Sequence, residues 1–143
     1  MSDILQDLPI RAPLARVFEA VSTPEGLNKW WTESCSGEPT RGQTFDLGFG
    51  PEYQWQATVT QCVEPVAFEL AMTRADADWQ DTRVRFELSP NDNGTTLHFS
   101  HRGWPETNEH YRISCHCWAL YLRLLRRHIE FGETVPYDQR LDA

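Results

Sequence analysis

The stretch Thr107 to Phe131, TNEHYRISCHCWALYLRLLRRHIEF, decides the fold. It runs for 25 residues without Pro or Gly, and Gly132 follows it at the position where a helix ends in a left-handed glycine. Large side chains recur at Tyr111, Cys115, Trp118, Leu122, Leu125 and Ile129. Steps of three and four draw one stripe down a long helix. Arg112, Arg123, Arg126 and Arg127 fall mostly off the stripe. The last three are read as a solvated face near the C-terminal end, where cations suit the helix dipole. The two halves of the stripe differ. Leu122, Leu125 and Ile129 are plain core residues, whereas Tyr111, Cys115 and Trp118 are large or polar-tipped and suit the wall of a space.

Upstream, the hydrophobic period changes twice. Ile4 to Ala12 reads as a first strand, and Pro13 opens a short amphipathic helix through Leu14, Val17, Phe18 and Val21. Thr23-Pro24-Glu25 repeats the N-cap and first-turn signature and opens a second short helix towards Trp31. From Gln43 the period is two. Phe45, Leu47 and Phe49 form one set, and Trp55, Ala57 and Val59 the next. Val66, Phe68, Leu70 and Met72 follow, then Val84, Phe86 and Leu88, then Leu97, Phe99 and His101. Turn residues separate the runs, among them Gly48-Phe49-Gly50-Pro51 and the six residues Ser89 to Gly94. Ala75-Asp76-Ala77-Asp78 reads as a polar loop with solvated carboxylates. Strands that alternate on one side need one face covered, and only the long helix is large enough. One α+β domain over residues 1–143 is expected, with a curved antiparallel sheet wrapped around the C-terminal helix and a pocket beside that helix's first half.

Composition narrows the function. A net charge of −8 disfavours a nucleic-acid surface, which needs a basic stripe, and an anionic membrane. No apolar run approaches the ~20 residues of a membrane span. MSDILQDLPI carries acids where a signal peptide needs a basic region, so a cytoplasmic location is expected. In that compartment Cys35, Cys62, Cys115 and Cys117 are expected as free thiols.

Certain strings resemble the START-like or SRPBCC superfamily. They are Ile10-Arg11-Ala12-Pro13 with Val17-Phe18-Glu19-Ala20, and Ser22-Thr23-Pro24-Glu25-Gly26-Leu27 with Trp30-Trp31-Thr32. Leu97 to Trp104 and the closing Trp118, Tyr121-Leu122, Leu125 and Glu130-Phe131-Gly132 extend the likeness over nearly the whole chain. The branch they resemble most is named after the activator of the heat-shock-protein-90 ATPase. The resemblance implies a helix-grip fold with a cavity between sheet and long helix for a hydrophobic or amphipathic small molecule. The superfamily spans carriers, receptors, cyclases and stress proteins, and fold does not choose among them.

The residues themselves offer no catalytic motif: no phosphate loop, no serine elbow and no dinucleotide fingerprint. Cys115-His116-Cys117 fails as a metal cluster because helical residues two apart point about 200° apart. No metal and no cofactor are expected. His101 shares the inward strand face, where it can be a structural histidine, a ligand contact or an acid–base group. Trp31, Phe49, Trp79, Phe86, His101, Trp104, Tyr111, Cys115 and Trp118 are the candidate pocket wall, with His101 and Tyr111 as polar anchors. Such a wall suits a small hydrophobic or aromatic ligand. The six tryptophans of the chain, four of them in this wall, are equally compatible with a core simply filled by large rings. Two other functions stay open. One is a cyclase- or hydrolase-like enzyme with His101 as acid or base, and the other a co-chaperone-like interaction module. The chain is expected as a monomer or a homodimer.

Overall fold

The computed structural model describes Met1–Ala143. Strand β1 (Ser2–Ile10) leads into helices α1 (Leu14–Ser22) and α2 (Pro24–Leu27). Then come β2 (Ser34–Ser36), β3 (Thr44–Gly48), β4 (Gln54–Val63), β5 (Ala67–Arg74), β6 (Arg83–Asn91) and β7 (Gly94–Trp104). Helix α3 (Glu109–Phe131) follows, and a short 3₁₀ turn (Tyr137–Asp142) closes the chain. The strands form one antiparallel sheet in the order β1-β7-β6-β5-β4-β3-β2. With two short helices after the first strand and one long helix against the sheet, this is the helix-grip α+β fold.

The alternation read from the sequence becomes rows across the sheet. Phe68 pairs with Phe86 and Phe86 with Phe99, while Val59 pairs with Leu70, Leu70 with Val84 and Val84 with His101. All of these are buried on the concave face. Helix α1 buries Val17, Phe18, Ala20 and Val21, and α2 docks closely because position 26 is glycine. A Cβ there would lie 2.7 Å from the Ala20 Cα. Helix α3 starts at the Asn108 cap, whose side chain accepts from the Tyr111 amide. It ends at Gly132 with φ 71°, the left-handed cap the sequence predicted.

Two differences from the sequence reading have simple causes. The turn expected over Ser89–Gly94 shrinks to Asp92-Asn93, because β6 and β7 stay paired out to Asn91 and Gly94. Pro90 is tolerated in β6 because the pairing with β5 has already ended at Glu87, so its missing N–H faces no ladder. Strand β2 and the closing 3₁₀ turn were not read. Three residues at a sheet edge and six residues around a single anchor are too short to show a period. No helix is long and apolar enough to cross a membrane.

Candidate functional site

The first half of α3 meets β7 through a chain of directed hydrogen bonds. The Trp118 indole Nε1 donates to His101 Nδ1 at 3.1 Å. An indole only donates, so Nδ1 is the acceptor and the proton of the neutral ring sits on Nε2. Nε2 lies 2.8 Å from Thr82 Oγ1, and that hydroxyl donates to the Trp79 carbonyl at 2.6 Å. Burial, with a smaller contribution from the nearby His110, pushes the His101 pKa down to about 3. His101 is therefore a buried neutral imidazole with both nitrogens engaged. It has no free nitrogen with which to exchange a proton.

Around this chain the tryptophans interlock. Trp79 stands 4.5 Å from His101, 5.2 Å from Trp55 and 5.9 Å from Trp118, measured between ring centroids. Trp31 lies 5.2 Å from Trp118 and 5.3 Å from Phe49. Phe99 closes on Trp118 from the sheet side at 4.5 Å. These rings occupy the space where an open pocket was expected. What remains is a crevice of about 30 Å³, lined by Trp31, Trp79, Ser114, Cys117, Trp118 and Tyr121. Its volume is about that of one water molecule. Two of the larger hollows, about 480 and 390 Å³, lie against the end of β1 and on the outer sheet face. Both are open and lined mainly by polar and charged residues.

One polar feature stands out within the cluster. The indole nitrogens of Trp79 and Trp104 are buried and have no hydrogen-bond partner. Their rings are 6.0 Å apart, and both flank His101. Buried indole N–H groups normally find an acceptor, and leaving one unmade costs about 1–3 kcal/mol.

The nine residues expected in the wall separate into three groups. Trp31, Trp79 and Trp118 line the crevice, and half-buried Phe49 packs on Trp31 beside it. His101 and Trp104 stand one ring behind. Phe86 belongs to the core, between Trp30 and Phe99. Tyr111 and Cys115 do not line the crevice: the Tyr111 hydroxyl donates to the Asp3 carbonyl while its ring stands edge-on to Trp104, and the Cys115 backbone carbonyl accepts from Gln6 Nε2. On α3 the crevice is bounded by Ser114, Cys117, Trp118 and Tyr121, a stripe next to the one read from the sequence. The signal available was the same three-and-four spacing, but small Ser and Cys do not announce a wall.

Asp78 also departs from its reading as a solvated loop carboxylate. It lies 3.0 Å from His110 Nδ1 and accepts from Asn108 Nδ2 at 3.3 Å. The loop that carries Trp79 is thereby tied to the start of α3. His110 is in turn edge-on to Trp104, with centroids 5.5 Å apart.

Residues 11–130 match the family model described as Activator of Hsp90 ATPase homolog 1-like protein. Among solved structures, the Aha1 dimer from Colwellia psychrerythraea is 26% identical with a TM-score of 0.83, over 93% of this chain and 99% of that one. BH1534 of Bacillus halodurans is also 26% identical, with a TM-score of 0.76 over 91% and 98% of the two chains. CalU16 of Micromonospora echinospora, 20% identical with a TM-score of 0.70 over 98% and 80%, shares the fold. No curated protein matches the chain in sequence.

Proposed function

The chain belongs to the Activator of Hsp90 ATPase homolog 1-like family, and on that premise we propose that it binds a flat apolar molecule carrying one oxygen acceptor, at the crevice between Trp31, Trp79, Trp118 and Tyr121. The observation that carries this is the buried, unpartnered indole N–H of Trp79, which lines the crevice, with a second on Trp104 one ring behind. A ligand ring would gain stacking against the tryptophans, and its oxygen would satisfy a donor that otherwise remains unpaired. The wall must part for it to enter, so apparent affinity is reduced by the small fraction of molecules that are open. We assign no reaction, because His101 has neither an exposed nor an uncommitted nitrogen.

The test compares 2-naphthol with naphthalene, which lacks the oxygen, by tryptophan fluorescence titration and melting shift. Trp79→Phe keeps a ring but removes the donor. It is expected to weaken 2-naphthol binding by about tenfold, the equivalent of one hydrogen bond, while changing naphthalene binding little. If neither compound quenches fluorescence or raises the melting temperature up to its solubility limit, the proposal fails.

A second reading is an interaction module that includes a second copy of the chain. The ring-filled interior favours it, as does the 26% identical Colwellia relative, which is a dimer. Light scattering across a wide concentration range checks the self-association. A mass of one chain throughout removes the homodimer.

A further inference from the structure

The 3₁₀ turn Tyr137–Asp142 buries one charged side chain and little else. Asp138, Gln139, Leu141 and Asp142 are exposed, while Arg140 is 4% exposed. A buried guanidinium is costly unless its donors are satisfied. No carboxylate touches this one. Its Nε donates to the Val135 carbonyl at 3.0 Å, Nη1 to the Thr32 carbonyl at 3.1 Å and Nη2 to the Asn28 carbonyl at 2.7 Å. The Tyr137 ring lies under the charge, 5.4 Å from its carbon.

The two distant acceptors bracket a particular segment. Asn28 caps α2, and Thr32 directly follows Trp31. The turn Asn28–Thr32 therefore carries Trp30 and Trp31, and Arg140 grips both of its ends. The two tryptophans are held differently. The Trp30 indole is anchored to the Ala20 carbonyl at 3.0 Å in α1. The Trp31 indole makes no hydrogen bond within the protein, so its place as a crevice wall depends on non-directional ring contacts with Phe49 and Trp118 and on the turn beneath it. The opposite wall includes Tyr121 of α3. The closing turn packs on α3, and Arg140 and Tyr137 lie close enough to influence the Tyr121 phenol. The closing turn thus ties together the segments behind both walls, through Arg140 on one side and its own packing on α3 on the other.

We propose that the closing 3₁₀ turn is an intramolecular strap, in which Arg140 clamps the Asn28–Thr32 turn to α3 and keeps the Trp31 wall of the crevice shut until the strap releases. The proposal rests on the ligand site above for its purpose, but not for its mechanics. Once the two hydrogen bonds from Arg140 to this turn are lost, the Trp30 anchor to α1 and the ring contacts of Trp31 with Phe49 and Trp118 are what remain to hold it, and Trp31 swings more readily. The closed crevice of one-water size and the unpartnered Trp79 N–H then become the resting state of a gated site rather than a finished core.

The decisive experiment uses the full chain with Arg140→Ala and Arg140→Lys, each checked for native packing by near-ultraviolet circular dichroism. Two readouts are taken: acrylamide quenching of tryptophan fluorescence, and the association rate of 2-naphthol. Lys keeps the charge but cannot reach three carbonyls from one planar fork. Both variants are expected to increase quenching, Ala more than Lys. If opening limits entry, the 2-naphthol association rate rises on the order of tenfold in Arg140→Ala. Should Arg140→Ala lose its native spectrum, Arg140→Lys decides alone. Increased quenching without any 2-naphthol binding leaves the strap standing and removes the ligand proposal. Folded variants whose quenching matches the unaltered protein overturn the strap.

Discussion

Helix α3 does two different jobs along its length. Its second half fastens the fold by packing: Leu122, Leu124 and Leu125 are buried with no polar atom to direct them. Its first half fastens by direction. Trp118 donates to His101, Tyr111 donates to the Asp3 carbonyl, and the Cys115 carbonyl accepts from Gln6. Hydrophobic packing is non-directional and tolerates small shifts, whereas a hydrogen-bonded ring has one correct place. The helix is consequently clamped firmly at one end and positioned accurately at the other. The crevice and the unpartnered indoles lie towards the positioned end, and the strap comes near α3 at Tyr121, close to its middle.

The largest test of this contrast is Leu125→Ala. Leu125 is fully buried, so removing it costs the transfer energy of the lost methyl groups plus a cavity, about 3 kcal/mol of stability. Urea denaturation measures the loss, and 2-naphthol binding by the folded fraction should stay unchanged. A loss below about 1 kcal/mol would mean that the second half is not the main fastener.

A smaller effect should come from the positioned end through pH. The His101 pKa is about 3 in the folded protein against an ordinary value of 6.5, so the unfolded chain takes up the proton first. Its contribution is complete above 6.5 and is lost as pH falls towards 3, by at most about 1.4 kcal/mol per unit. Between pH 6.5 and 5 the loss should be about 1.6 kcal/mol. His128, also lowered by burial, acts in the same direction. Urea titrations of His128→Ala at both pH values isolate the His101 share. A flat stability across that range would show that His101 is not held neutral.

The long helix and its C-terminal cap were legible in the sequence because Gly132 and the three-and-four stripe are local signals, whereas the Asn108 N-cap came only with the structure. The strands from β3 to β7 were legible because alternation is local too, and His101 was correctly placed on the inward face by counting from Leu97 and Phe99. The site was less legible. The stripe predicted Tyr111 and Cys115 as wall residues, but Tyr111 meets Asp3 and Trp104, while Ser114, Cys117 and Tyr121 line the crevice. Asp78 looked solvated because its partner, His110, lies 32 residues away and meets it only in the folded chain.

By itself, then, the sequence determined the order of elements, the one-sided sheet, the single covering helix and the identity of the rings that face inward. Each follows from backbone preferences and hydrophobic periods that act over a few residues. Only the tertiary structure decided that those rings close on one another and leave space for about one water. The pairing of His101 with Trp118, the isolation of two indole N–H groups and the reach of Arg140 to Asn28 and Thr32 were decided at the same level. The physical reason is that packing and hydrogen bonding depend on ångström-scale positions of side chains far apart in the chain, and no local pattern encodes them.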